Sequence, residues 1–317
     1  MKKFVSFFLS LAFAGSTFAQ MSGYSTSQSD GTTLGANETL TADGIALGNA
    51  VKLRGYVDFI LGRVADDNGT DSNTDSTSVS ADVDFLIDLS PITAEVHLNV
   101  SEDNGPGVLE QAFGRYSFNQ DFHLTFGKQT TVLGFDDDEA PGLYAVTTAY
   151  SKGAFSHPGK SYVDGIRLNY NNGMFGLIFG LHDHYNLPTG SSDDLDSGMA
   201  IDLAASVMFM PGLEARLGFV NENGDGNDDD VQQVNGWLGW NPGDLTLAVE
   251  FDSFSLANDT DAWNMMLLAN YQFSDFFGAT IRYAHMDHEA DESDRLTLAL
   301  LFSITDNFGM NLEYSYT

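Results

Sequence analysis

Two short runs bring together residues that activate water in hydrolases or hold a metal ion: His182-Asp183-His184 and His285-Met286-Asp287-His288. An imidazole held by a carboxylate works as a general base, and a cluster of such groups can bind zinc. Histidine and aspartate are equally ordinary on a wet rim, and the chain has no Gly-x-Ser-x-Gly elbow to present a nucleophile. No catalytic site is expected. A third run, NENGDGNDDDVQ, sets Asn221, Asn223 and Asp225 at alternate positions with Gly226 at the turn, as calcium loops do. Its twelfth position is Gln232, not the bidentate glutamate a tight site needs, so the most it offers is loosely bound calcium. No other metal or cofactor is expected.

The charged residues carry a stronger signal, because they keep phase. Lys52, Arg54, Arg115, Arg167, Arg216 and Arg282 share one face of alternating segments with Asp58, Asp82, Asp84, Asp88, Glu95, Asp202, Glu214, Glu250, Asp252 and Glu313. The residues between them are apolar. An Arg or Lys on a lipid-facing wall costs about 2–4 kcal/mol at mid-depth, so such phasing is what a polar lumen inside an apolar belt requires. Opposed rows of the two signs would orient passing solutes, whereas neighbouring pairs would stiffen the wall. The carboxylates outnumber the bases, which predicts a preference for cations. Lys128 departs from the rule, sharing phase with Leu124 and Phe126, so Gly127 marks a bulge or the strand has already left the membrane there.

The elements that must position these groups are strands. VKLRGYVDFIL, SVSADVDFLIDL, ITAEVHLNV, QAFGRYSF, FHLTFG and their successors alternate apolar and polar with period two, down to FGMNLEYSY at the end of the chain. About fifteen such strands are expected. Short turns at Ser90-Pro91, Asn119-Gln120-Asp121, Asn171-Asn172-Gly173, Pro211-Gly212, Asn241-Pro242-Gly243, Ser274-Asp275 and Asp306-Asn307 alternate with longer acidic connections. Those connections are DDNGTDSNTDST, SEDNGPG, HDHYNLPTGSSDDLDSG, NENGDGNDDD and HMDHEADES, besides one at 134–160 that is the longest. Phe118, Phe122, Phe175, Phe209, Trp240, Phe273, Phe276, Phe277 and Phe308 crowd the short-turn side, where an interfacial girdle belongs. A soluble β-sandwich would need polar outer faces and no such alternation of turn length. The expected fold is all-β: a transmembrane antiparallel up-and-down barrel of 15–16 strands over residues 49–317.

Residues 1–19 read as an export signal: Lys2 and Lys3, the apolar run FVSFFLSLAFAG, and Thr17-Phe18-Ala19 before Gln20. Without it, 11 Lys and Arg stand against 45 Asp and Glu, a formal charge of −34. Nucleic acid is thereby excluded as a partner. A content of 43% hydrophobic and 12% aromatic residues excludes an acidic disordered chain. The mean hydropathy of −0.14 suits a barrel, whose two faces cancel. Residues 20–48, rich in Ser, Thr, Gly and Asn, read as a flexible periplasmic lead-in. With the short turns periplasmic, the strand at 308–316 runs outward, so either one further inward strand follows Thr317, or the first and last strands close in parallel, or a strand lies within residues 20–48; the first is the favoured expectation.

Roughly residues 109–170 resemble the β-barrel porins of Gram-negative outer membranes usually labelled porin-2. The likeness is carried by LEQAFGRYSF, FHLTFGKQTTVLGFDDDEAPGLYAVTTAYS and HPGKSYVDGIRLNY, with a Gly-Lys pair near a strand end, a downstream Gly-aromatic and a Pro-Gly before the next strand. It implies a passive channel for small hydrophilic solutes and ions, set in outer-membrane lipid; a homotrimer is compatible with it. In general porins the loop corresponding to 134–160 folds into the pore. Here it opens with Asp136, Asp137, Asp138 and Glu139 and carries Tyr144, Tyr150 and Phe155, aromatics that favour inward folding. The rival readings are a barrel plugged by its own loops, acting in adhesion, and a hydrolase at the rim.

Overall fold

The computed structural model describes residues 4–14, 34, 37, 39, 44–66, 74–101, 105–136, 142–150, 162–183, 199–223, 230–256, 260–288 and 291–317. They form seventeen strands and one sheet. The strands are β1 (Phe4–Ala14), β2 (Ile45–Ala46), β3 (Val51–Asp66), β4 (Thr74–Leu89), β5 (Ile92–Ser101), β6 (Gly105–Ser117), β7 (Phe122–Thr130), β8 (Tyr162–Asn171) and β9 (Phe175–His182). They continue with β10 (Ala200–Met210), β11 (Leu213–Glu222), β12 (Val231–Trp240), β13 (Leu245–Leu256), β14 (Thr260–Ser274), β15 (Phe277–His288), β16 (Asp291–Thr305) and β17 (Phe308–Tyr316).

From β3 to β17 each strand pairs antiparallel with the next, which accounts for the fifteen strands the alternation marks. Strands β3 and β17 run the same way and do not pair with each other. Between them lies β1, antiparallel to both, with Val5 opposite Tyr316 and Ala65, and Phe13 opposite Phe308 and Val57. The barrel is therefore closed by a sixteenth strand drawn from residues that read as an export signal. The place expected to be filled from beyond Thr317 is occupied by residues 4–14. The segment can do this because its odd residues from Val5 to Leu11 are all apolar, whereas the other face carries Ser6, Ser10 and Ala12 beside Phe8, whose ring lies against Gly62. Two-residue β2 pairs with Lys52 and Leu53, further along the edge of β3 that β1 covers.

The wall is inverted relative to a soluble protein. Along β9 exposure alternates residue by residue: Phe175, Leu177, Phe179 and Leu181 face out, while Gly176, Ile178, Gly180 and His182 are buried. On β11, Leu217 is 60% exposed and its neighbour Arg216 3%. Apolar side chains outside and charged ones inside are what lipid around and water within demand. No helix among the described residues is long and apolar enough to cross a membrane, and none is needed. On the short-turn side Phe118 stacks on Phe122 at 5.1 Å and Phe273 on Phe277 at 5.3 Å, forming part of the expected girdle. Three strands slip register just before their turns. The extra residues Phe209, Phe273 and Ile304 turn outward, as a bulge allows.

Two acidic connections are shorter than expected. β5 and β6 pair up to Ser101 and Gly105, and β15 and β16 up to His288 and Asp291. Most of SEDNGPG and HMDHEADES is thus strand. Hydropathy stops alternating where the wall leaves lipid, but the hydrogen-bonded ladder goes on. β7 shows no register slip against either neighbour although Gly127 has φ 119°, and Lys128 faces out opposite Asp164, an exposed acid.

Candidate functional site

The connection after β7 turns into the barrel. Val132, Phe135 and Ala145 are fully buried, and Tyr150 nearly so. Gly134, with φ 97°, allows the turn that a side chain would resist. From there its contacts with the wall run from β12 to β17. Gly134 N donates to Asn235 Oδ1 on β12 (3.1 Å) and Phe135 N to Glu250 Oε1 on β13 (3.0 Å). The Phe135 ring meets Trp237 edge-on at 5.4 Å and lies along Tyr144 at 6.3 Å. Asp136 Oδ2 accepts from Arg282 on β15 (3.0 Å) and from Ala149 N (2.7 Å). Arg282 also donates to Thr147 Oγ1 (2.8 Å), and Thr147 donates through N and Oγ1 to Glu313 on β17 (2.8 and 2.7 Å). Tyr150 reaches Ser293 (2.9 Å) under the Arg295 guanidinium.

Strand β15 is eight strands on from β7, half the circumference of a sixteen-strand wall. The loop therefore lies across the lumen, as its aromatics predict. Asp136, however, is not a free charge on the eyelet: it is consumed by Arg282 and the loop's own backbone. Asp137, Asp138, Glu139 and Phe155 lie outside the described residues, as does Asp225 of the candidate calcium run. In that run Asn221 donates to Asn223 (3.1 Å).

The predicted arginines all face inward, each beside a carboxylate. Arg54 Nε meets Asp84 at 2.8 Å, from the directly opposite position on β4. Arg115 lies 3.8 Å from Glu95, and His97 bridges Glu95 (2.9 Å) and Asp84 (3.3 Å). Arg167 clasps Asp202 through Nε and Nη2 (2.9 and 2.6 Å), and His182 Nε2 sits 2.9 Å from the same oxygen. Arg216 lies 3.4 Å from Glu214 and over the Trp237 ring. Most wall pairs join the same or adjacent strands, Arg167–Asp202 reaches across β9, and among the described residues Arg282–Asp136 is the ion pair that joins wall to loop. Of the remaining predicted lining, Asp58 accepts from Ser10 (2.7 Å), Glu250 and Asp252 accept from Asn235 (2.8 Å each), and Asp82 is buried. Lys52 is half-buried. Asp88 is not lining. It is exposed at the short turn and accepts from Ser90 N and Oγ, because the inward phase runs past the end of the lumen.

His182 and His285 do not converge. His182 is buried inside the wall, whereas His285 faces outward against Trp263 (4.5 Å) and Asp294 (2.9 Å). His184 lies outside the described residues. No group of three or more potential metal ligands occurs among those described.

Sequence reading missed His97, Gln111, Glu222, Asn235 and Trp237, all buried. Their inward phase was the available signal, since His97 stands two residues from Glu95. It also missed Gly180. In register it lies between Arg167 and Asp202, and a Cβ there would come within 2.0 Å of Asp202 Oδ1. The ion pair crosses an intervening strand only because that strand has no side chain at this point.

Among solved structures the chain is similar to a mutant porin of Rh. blastica (13% identity, 84% of this chain and 99% of that one, TM-score 0.51). It is similar to Salmonella typhi OmpF in complex with daunomycin (11%, 98% and 97%, TM-score 0.52). It also resembles the trimer form of in-vitro folded OmpT, an outer membrane protein of Vibrio cholerae (13%, 85% and 100%, TM-score 0.50). At these identities the likeness is one of fold. No curated protein matches the sequence. The model of the family described as "Putative beta-barrel porin-2, OmpL-like" matches residues 19–315, nearly the whole barrel, and the chain belongs to that family.

Proposed function

We propose that the protein is an outer-membrane porin, a passive channel for small hydrophilic solutes and ions, made with an export signal at residues 1–19. The observation that carries this is the wall from β3 to β17, apolar outside and charged inside, crossed by a loop latched on its far side. A wall of that kind supplies a path, a constriction and a field, and needs no cofactor and no nucleophile. Purified protein in a planar bilayer should give steady conductance steps. Their absence from verified folded barrels would refute the reading and favour the plugged barrel, which the full burial of Val132, Phe135 and Ala145 inside the wall also supports.

The finer reading is cation preference. Among the described residues eleven Asp and Glu side chains are buried against four Arg, and each Arg has a carboxylate beside it. The excess is negative, and counter-ions gather in such a cleft. Reversal potentials across a KCl gradient should show cation selectivity at low salt that fades as the Debye length falls from about 30 Å at 0.01 M to about 3 Å at 1 M. Anion selectivity at low salt would overturn it. A homotrimer, the form named for OmpT, is the assembly to test by crosslinking in the membrane.

A further inference from the structure

We propose that Leu34, Asn37 and Thr39 act as a strap inside the barrel, a second narrowing element at the short-turn mouth, below the latched loop. These residues come from the part of the chain that reads as an external lead-in, yet Leu34 and Thr39 are buried. Their partners mark the level. Asn37 Nδ2 donates to Ser117 Oγ (3.1 Å), the last residue of β6 before a short turn. Leu34 O accepts from Asn171 Nδ2 (2.7 Å), the last residue of β8 before another. Thr39 and Asn37 thus lie against β5 and β6, and Leu34 against β8 and β9, close to that mouth.

The contacts on the wall side are specific. Arg115 Nη1 donates to Asn37 Oδ1 (2.7 Å) and to Thr39 Oγ1 (3.2 Å), and Thr39 Oγ1 donates to Glu95. Thr93 Oγ1 adds a longer bond to Asn37 (3.4 Å). Arg115 and Glu95 are lumen charges, so the strap stands where a solute would meet the wall. At its other end Leu34 packs with Ile178, Ala204 and Val220 of the wall and with Val132 and Leu133 of the loop. A buried guanidinium that lost Asn37 and Thr39 would seek water, which gives the strap a docked state worth keeping. Its hold is one leucine and hydrogen bonds between neutral side chains and Arg115 and Glu95, with no ion pair of its own among the described residues.

The chain has no cysteine, which makes the test direct. Asn37→Cys with Ser117→Cys, folded in bilayer or detergent, should be joined by a short bis-methanethiosulfonate linker, and either single variant should not change mobility. Failure to join in barrels that keep heat-modifiable mobility would overturn the placement. The triple variant Leu34→Ala, Asn37→Ala, Thr39→Ala should conduct in larger steps and admit larger neutral sugars in liposome swelling. Unchanged steps and an unchanged size cutoff would overturn the narrowing. The inference goes beyond the porin reading, and the linker arm reports on the strap even in a barrel that does not conduct. A silent wild type beside a conducting triple variant would make the strap the plug.

Discussion

Replacing Arg282 by Leu should loosen the loop, and the structure supplies the size of the effect. The guanidinium reaches Asp136 at 3.0 Å and Thr147 at 2.8 Å, and both it and the carboxylate are 1% exposed. Removing one partner of a buried ion pair leaves the other charge uncompensated, at about 3–5 kcal/mol. At about 1.4 kcal/mol per decade this lowers the docked-to-undocked ratio of the loop by roughly two to three and a half orders of magnitude. The remaining anchors, Thr147 on Glu313 and Phe135 N on Glu250, are hydrogen bonds to carboxylates worth about 1.5–3 kcal/mol each, so the loop stays attached but opens often. Single-channel records should show flicker between the wild-type step and a larger one. The companion change is Asp136→Asn on top of Arg282→Leu. It removes the orphan charge, and replacing both members of such a pair is often close to neutral, so the double variant should be quieter than the single. A single variant as quiet as wild type, or a double variant noisier than the single, would refute the latch as the source of loop order.

Other consequences are simpler to score. Gly180→Ala should destabilise the barrel by about 3–5 kcal/mol through the Arg167–Asp202 pair, read as a lower urea midpoint in refolding, whereas Ala205→Gly on the lipid face should cost much less. Leu217→Arg, on the outward face, should cost about 2–4 kcal/mol if it sits near mid-depth; no change would mean that this face does not meet lipid. A chain beginning at Gln20 lacks β1, so backbone amides on the facing edges of β3 and β17 should exchange faster than in the chain that keeps residues 4–14. Equal protection in both would mean that another segment closes the seam.

The fold was legible because a barrel writes its two faces into every strand: FGLIFGLH shows them without any long-range knowledge. What could not be read is where equal patterns compete. FVSFFLSLAFA satisfies an apolar export segment and a lipid-facing strand at once, and only the space between β3 and β17 distinguishes the two uses. The charged lining was visible from phase, but pairing was not, since Arg282 and Asp136 are 146 residues apart. Arg54 and Asp84 could be matched only after the register was known. Asp88 shows the opposite limit, for phase continues past the lumen's end and depth does not appear in it. Leu34, Asn37 and Thr39 lie in a stretch whose composition says only that it need not pack.

The loop also changes how the barrel bears load. A hoop of sixteen strands, each bonded only to its neighbours, resists stretching along its circumference far better than flattening across its diameter. The loop is a spoke on such a diameter, rooted at β7 and fastened at β12, β13, β15 and β17. To make the cross-section oval along that line, lateral pressure must first strain a buried salt bridge and its surrounding hydrogen bonds. The cross-section of the wall and the position of the loop are therefore one mechanical variable, and a squeeze applied by the bilayer arrives at Asp136 and Arg282.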